Sequence, residues 1–417
     1  MNDPIILARA VHIASTIIAA GTIFFIVLVM EPALAGARGA SVVALRRRCD
    51  LMFIGALALA TVSGAAWLAL LAADIYGAPL ADVCLHGGLI SVLANTRFGF
   101  IWSLRLTIAL VLSISVLWPG LRWLQLATAA ALVGLLALVG HAGATPGVLG
   151  NVHFISDVAH LIAAAAWLGS LPVLALLLAM ARPPKGFATK AAIQFSKVGI
   201  VSVGVLAATG LINSGMLLGS ARDLVTTTYG QLLALKIGLF LSMLGVAAVN
   251  KFYLTPRVKS WTSRRALLRN TLGETGLGLA VILVVSALGT MPPTAHHHLP
   301  TANVPADAAF THIHSEEAMA EVTIEPGHVG VVNVHIRVMH EDSSGFATGK
   351  VRLVLDPPGL GAQAIDRAAV QQPDGTWQVN GLALPRSGNW MVRVIFPGDK
   401  GRQIVLDAPI VIEPNPR

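Results

Sequence analysis

Residues 141–169, HAGATPGVLGNVHFISDVAHLIAAAAWLG, carry His141, His153, Asp157 and His160 at the mouth and first turns of an apolar run. The i, i+4, i+7 spacing of His153, Asp157 and His160 puts them on one helical stripe. Imidazole and carboxylate both coordinate transition metals, and ionisable groups within a bilayer-spanning segment usually mark a pathway or a site. His12 lies in another apolar run, at a similar depth from the same side. A copper or zinc site built from His12, Asp157, His160 and one mouth histidine (His141 or His153) is therefore expected. Asp157 is either a ligand or the group that orients an imidazole through its second nitrogen. The blander alternative is that each histidine simply hydrogen-bonds a neighbouring helix.

Other groups in the apolar runs qualify this picture. Arg105 and Lys236 lie in the same halves of their runs as the histidines, and a cation repels a metal unless neutralised. Either one pairs with Asp157 or they snorkel toward the interface. Met216, with Asn213 at the end of its run, offers a soft thioether for Cu(I), with plain packing as the alternative. Glu274, in the last apolar run, is a further buried ionisable group and a candidate for proton or ion coupling.

The elements that must hold these residues are apolar. Of 417 residues, 55% are hydrophobic and 12% charged, against about 25% charged in soluble domains. Eight runs are long enough to cross a bilayer as helices of roughly 20 residues, near 5–30, 51–73, 98–118, 121–140, 153–179, 192–217, 230–253 and 268–290. Pro119-Gly120 makes the third and fourth a tight hairpin. The first run is read as a retained helix: its apolar core exceeds that of a signal peptide and MNDP lacks a basic start.

The formal charge of +8 is concentrated in short loops, a sign of membrane orientation and not of nucleic-acid binding. Arg38 and Arg46 to Arg48 follow the first run, Arg182, Lys185 and Lys190 the fifth, Arg257, Lys259, Arg264 and Arg265 the seventh. The positive-inside rule puts these loops in the cytoplasm and both termini outside, and with them the histidine-bearing mouth. Cys49 and Cys84 should lie near opposite faces, so no disulfide between them is expected.

After residue 293 the composition changes. A His/Pro-rich linker (294–317) containing His296-His297-His298 leads into short alternating runs from 318 to 417, punctuated by Gly, Pro and Asp-Gly turns. This pattern predicts an Ig-like β-sandwich of roughly seven strands. The expected fold is thus a membrane all-α bundle of eight transmembrane helices (1–293) followed by a small exported all-β domain. His312 and His314, a His-x-His pair at the entrance of that domain, are candidate Cu(II) or Zn(II) chelators. No Walker A loop, GxSxG elbow or HExxH motif is present, so neither ATP-driven pumping nor an enzyme is indicated.

With these residues in view, the chain resembles the copper-resistance protein D (CopD) family of bacterial inner-membrane proteins. The likeness rests on Arg9-Ala-Val-His12, Gly140-His141, Asp157-Val-Ala-His160 with Trp167-Leu-Gly169, and Thr209-Gly-Leu-Ile-Asn213. It continues through Tyr229-Gly-Gln-Leu-Leu-Ala-Leu-Lys236, Asn250-Lys-Phe-Tyr-Leu-Thr-Pro256 and Leu288-Gly-Thr-Met-Pro-Pro293. It implies an eight-helix inner-membrane protein that handles copper ion, Cu(I) or Cu(II), as its bound or transported ligand. Copper homeostasis or resistance would be its role, with the lipid bilayer and a periplasmic copper chaperone as partners. The tail is similar to CopC-like and YtkA-like exported β-sandwiches through His312-Ile-His314, Val322-Thr-Ile-Glu-Pro326 and Asp374-Gly-Thr-Trp377. Without a mature N-terminal histidine, a CopC-type amino-terminal copper clamp does not carry over. Two other readings stay open: a haem electron carrier of the cytochrome b561 type, and a copper-oxidase assembly factor that transports nothing.

Overall fold

Among the described residues of the computed structural model, eight helices long and apolar enough to span a bilayer follow one another. They are α1 (Pro4–Leu34), α2 (Ala40–Tyr76), α3 (Phe98–Ser115), α4 (Arg122–Val139), α5 (Gly150–Leu178), α6 (Phe187–Leu217), α7 (Thr228–Arg257) and α8 (Trp261–Leu288). The structure describes residues 4–35, 37, 39–76, 79–139, 147–180, 186–218, 220, 222–291, 304–305, 307–314, 318–340, 344–346, 348–357, 363–398 and 402–415. Two compact units result, one of residues 1–67, 95–145 and 150–298, the other of 68–94, 146–149 and 299–417.

Each predicted run is a helix, and several extend past their apolar cores. α2 starts at Ala40, so Arg46, Arg47 and Arg48 are helical and not part of a loop. Arg and Leu are good helix formers, so the helix need not stop where the apolar run does. The third and fourth spans are joined by a 3₁₀ turn, Pro119–Leu121. Gln125 Nε2 ties that hairpin by donating to the carbonyls of Ser115 (2.9 Å) and Trp118 (3.3 Å).

α1 is the most enclosed span, and α2, α6 and α7 turn large apolar side chains such as Leu51, Val62, Val201 and Leu241 outward. That is where lipid would lie for a multi-pass membrane protein. α1 and α5 run parallel and meet without intervening side chains. A Cβ on Gly21 would strike the Gly169 backbone, one on Gly169 would strike the Ile17 carbonyl, and Ser170 Oγ donates to Gly21 O at 2.9 Å. Small residues at such a contact let two backbones approach closely.

The C-terminal region is a two-sheet antiparallel sandwich. One sheet has the order β1-β2-β3-β7-β6 and the other β5-β4-β8-β9. The first comprises β1 (Ala309–His314), β2 (Met319–Glu325), β3 (Gly330–Met339), β7 (Trp377–Leu384) and β6 (Val370–Gln371); the second comprises β5 (Ile365–Ala368), β4 (Arg352–Asp356), β8 (Gly388–Pro397) and β9 (Gln403–Ile412). Alternation sends Val332, Val334, Ile336 and Val338 of β3 into a core shared with Trp377, Trp390 and Phe396. Nine strands form among the described residues where about seven were expected, and β1 lies within the stretch read as linker. In the turn before β7, Asp374 Oδ1 accepts from Thr376 Oγ1 (2.7 Å) and N (2.9 Å). The hydroxyl bond, then the amide bond, hold the Asp374 carboxyl below its ordinary range, and Gly375 takes the φ of +83° that the turn requires.

Candidate metal centre

His12 is buried in α1 with its Nδ1 2.8 Å from the carbonyl oxygen of Ala60 on α2. A carbonyl can only accept, so Nδ1 carries the hydrogen. Nε2 is then a bare lone pair, and it is buried with no hydrogen-bond partner. The ring packs on Trp67 at 5.7 Å between centroids. Gly64 leaves the room: a Cβ there would sit 2.9 Å from the ring atoms of His12. His12, Thr16, Trp102 and Arg105 border a cavity of about 30 Å³, about the share of one water in the liquid. Arg105 is buried too, and its Nη2 donates to Thr16 Oγ1 at 3.4 Å.

His160, on α5, is oriented in the same way by a different group. Its Nδ1 is 2.8 Å from Thr209 Oγ1 on α6, and the Thr209 hydroxyl hydrogen is directed to Val205 O at 2.7 Å. Thr209 therefore accepts, Nδ1 donates, and Nε2 again holds the lone pair. This is the arrangement in which imidazole binds a metal: one nitrogen anchored by an outer acceptor, the other open to the ion. His160 lines a cavity of about 330 Å³ together with Asn213, Ser214, Lys236 and apolar residues of α5 to α8.

Asp157 is tied to this second cavity. Its Oδ1 accepts from Asn213 Nδ2 at 2.6 Å, and it interacts electrostatically with His153 and Lys236. Of the two unexplained cations, Lys236 thus has a carboxylate counterpart. Arg105 has none among the described residues. Arg9, one turn before His12, donates from Nη1 to Gly289 O at 2.7 Å and lies 5.4 Å from the Trp67 ring centroid.

The expected site residues are only partly brought together. His153, Asp157 and His160 share α5, with His153 buried. His12 and His160 line different cavities. Among the described residues, no group of three or more His, Cys, Asp or Glu side chains could hold a metal ion. Counted along the helices, each histidine stands nine residues before the Gly21–Gly169 contact, about 13–14 Å at 1.5 Å per residue. Their depths therefore match. Met216 is half-buried on α6 and is not among the residues lining the His160 cavity. His141 and the His296 to His298 run lie outside the described residues.

On the sandwich, His312 Nδ1 lies 3.5 Å from Glu321 Oε1, whose other oxygen is 3.7 Å from Arg337 Nη1. His314 is in register with Met319, and Met319 with Met339. Both methionines are buried, yet neither belongs to the sandwich core. These two sulfurs and the Ala60 carbonyl were not among the sequence candidates, and Thr209 entered only as part of a family motif, with no role at the site. The strand pairing that brings the methionines beside the His-x-His strand joins positions far apart in sequence.

The model of the copper resistance protein D-like N-terminal domain matches residues 1–151, and that of copper resistance protein D matches residues 189–288. The inner membrane protein YebZ of Escherichia coli (strain K12) is 35% identical over 205 residues, 48% of this chain and 70% of that protein. The copper transport protein CutJ of Bacillus subtilis (strain 168) is 26% identical over 317 residues, 72% of this chain and 56% of that one. Copper resistance protein D of Pseudomonas syringae pv. tomato is 28% identical over 224 residues, 48% and 71% of the two chains. No solved structure matches the chain significantly.

Proposed function

The chain belongs to the copper resistance protein D family, and from that premise we propose that it carries copper across, or delivers it at, the bacterial inner membrane through His12 and His160. One observation carries this reading. Both imidazoles are held as Nδ1–H donors by groups on neighbouring helices, leaving two Nε2 lone pairs at equal depth. The His160 cavity is the entry station, where Asp157 offsets Lys236. The His12 cavity, of about 30 Å³, is the tighter station. Arg105 there opposes a divalent cation about twice as strongly as a monovalent one, which favours Cu(I) at that point. His312 and His314, the latter in register with Met319, are the capture point on the sandwich.

The basic loops support a topology with both termini and the sandwich on the periplasmic side. Copper would arrive there, from a chaperone or free. No nucleotide-binding motif is present, so movement would follow a gradient or couple to protons.

The test is copper binding and uptake by the purified full chain, the latter in proteoliposomes. Wild type should take up copper, and His12→Ala and His160→Ala should each abolish uptake. Unchanged copper affinity in both variants would sink the intramembrane site. A Soret band in the purified protein would replace the copper reading with a haem one, and tight binding without uptake would leave delivery as the function.

A further inference from the structure

Glu274 is a buried carboxyl that the copper path leaves unused. It lies on α8, 2% exposed, and its two oxygens have unlike surroundings. Oε2 accepts from Asn250 Nδ2 at 3.0 Å, and Oδ1 of the same amide accepts from Asn270 Nδ2 at 2.9 Å. Oε1 is buried with no hydrogen-bond partner. The residue borders a cavity of about 260 Å³ among α5, α6, α7 and α8, whose polar lining includes Ser196, Asn250, Lys251 and Thr255. Asn250 is fourteen residues, about 21 Å of helix, along α7 from Lys236, toward the end of the bundle that bears Arg257, Lys259, Arg264 and Arg265. It also begins a π-helical turn, Asn250–Leu254, a distortion that recurs at functional sites.

The donor set selects the ligand. A hard metal cation takes six or more oxygens, whereas this site offers one uncommitted carboxylate oxygen, and Asn250 turns its N–H and not its oxygen toward the carboxyl. A proton needs only that one oxygen. Ionised, the carboxyl keeps a bare charged oxygen out of water, which is costly. Neutral, it loses that charge. The single amide N–H on Oε2 stabilises the ionised form without locking it. The cavity has room for several waters at roughly 30 Å³ each. Lys251 is the other charged side chain lining it, its Nζ 5.0 Å from the Phe252 ring centroid; α5 and α6 contribute no titratable group to the lining.

We infer that Glu274 is a proton-binding site reached from the basic end of the bundle through this cavity. The Oε1 lone pair takes the proton from a hydronium in the cavity, leaving water, and release is the reverse. Any coupling of that proton to copper rests on the transport reading; proton binding itself does not.

The experiment is infrared difference spectroscopy on the purified full chain in metal-free buffer through a series of pH steps. A protonated-carboxyl stretch should grow as pH falls, shift in D₂O and disappear entirely in Glu274→Gln. In Asn250→Leu the band should remain but move in frequency and midpoint, because its amide partner is gone. Absence of the band, its survival in Glu274→Gln, or its indifference to Asn250→Leu each overturns the site. With no copper in the sample, failure here leaves the copper reading standing. Loss of copper uptake in the histidine variants says nothing about this band.

Discussion

His12 and His160 present the same nitrogen in the same tautomer, yet their surroundings differ in room and in charge. His160 opens on about 330 Å³ with a carboxylate to balance the nearby lysine. His12 borders only about 30 Å³, beside a guanidinium that no described carboxylate balances. The first setting suits an ion that still carries water. The second suits a bare one and penalises its charge. On the proposed copper path the two histidines would act as different steps, the wide cavity loading and the narrow positive one refusing to hold.

The sharpest way to break this contrast is His160→Ala, which should lower copper affinity roughly a hundredfold or more, measured by competition with a chromogenic chelator. An affinity within about twofold of wild type would move loading elsewhere. Next comes Asp157→Asn, which leaves Lys236 unbalanced and should weaken binding by about ten- to a hundredfold, as loss of an outer-shell partner typically does. Adding Lys236→Met should restore most of it, and failure to do so would mean that charge balance is not what Asp157 supplies. At the smaller cavity the sign reverses. Arg105→Met should strengthen copper retention by about tenfold, near 1.4 kcal/mol, while slowing release in a stopped-flow chase. Weaker retention would make Arg105 a support for the site instead of its opponent. An effect of similar size belongs to Thr209→Val, which frees the His160 ring to turn and should weaken binding about tenfold with little change in thermal stability.

The bundle was legible because a bilayer leaves little choice. Backbone groups in hydrocarbon must be paired within the helix, so runs of about 20 apolar residues stand out. In the sandwich, GVVNVHIRVM and NWMVRVIF announce themselves by alternation. AFTHIH did not, since it follows a Pro/His-rich run, and IDRA and VQ are too short and polar to show a period. The histidines were legible as types and depths. Their tautomers were not, because the deciding acceptors, Ala60 O and Thr209 Oγ1, lie 48 and 49 residues away. Likewise Asn213 was visible as a polar residue at a helix end, but its bond to Asp157 spans 56 residues. Spacing along one helix reports a shared stripe; it does not report which stripe of another helix faces it.

The contact between Gly21 and Gly169 sets more than the packing of two helices. With one histidine nine residues up each helix, it works as the rivet of a pair of scissors whose blades are equal. The cavities beside the two histidines share no lining residue, so one backbone contact sets two separate surroundings at once. A methyl group at either glycine would spread the rivet and shift both histidines without touching either one.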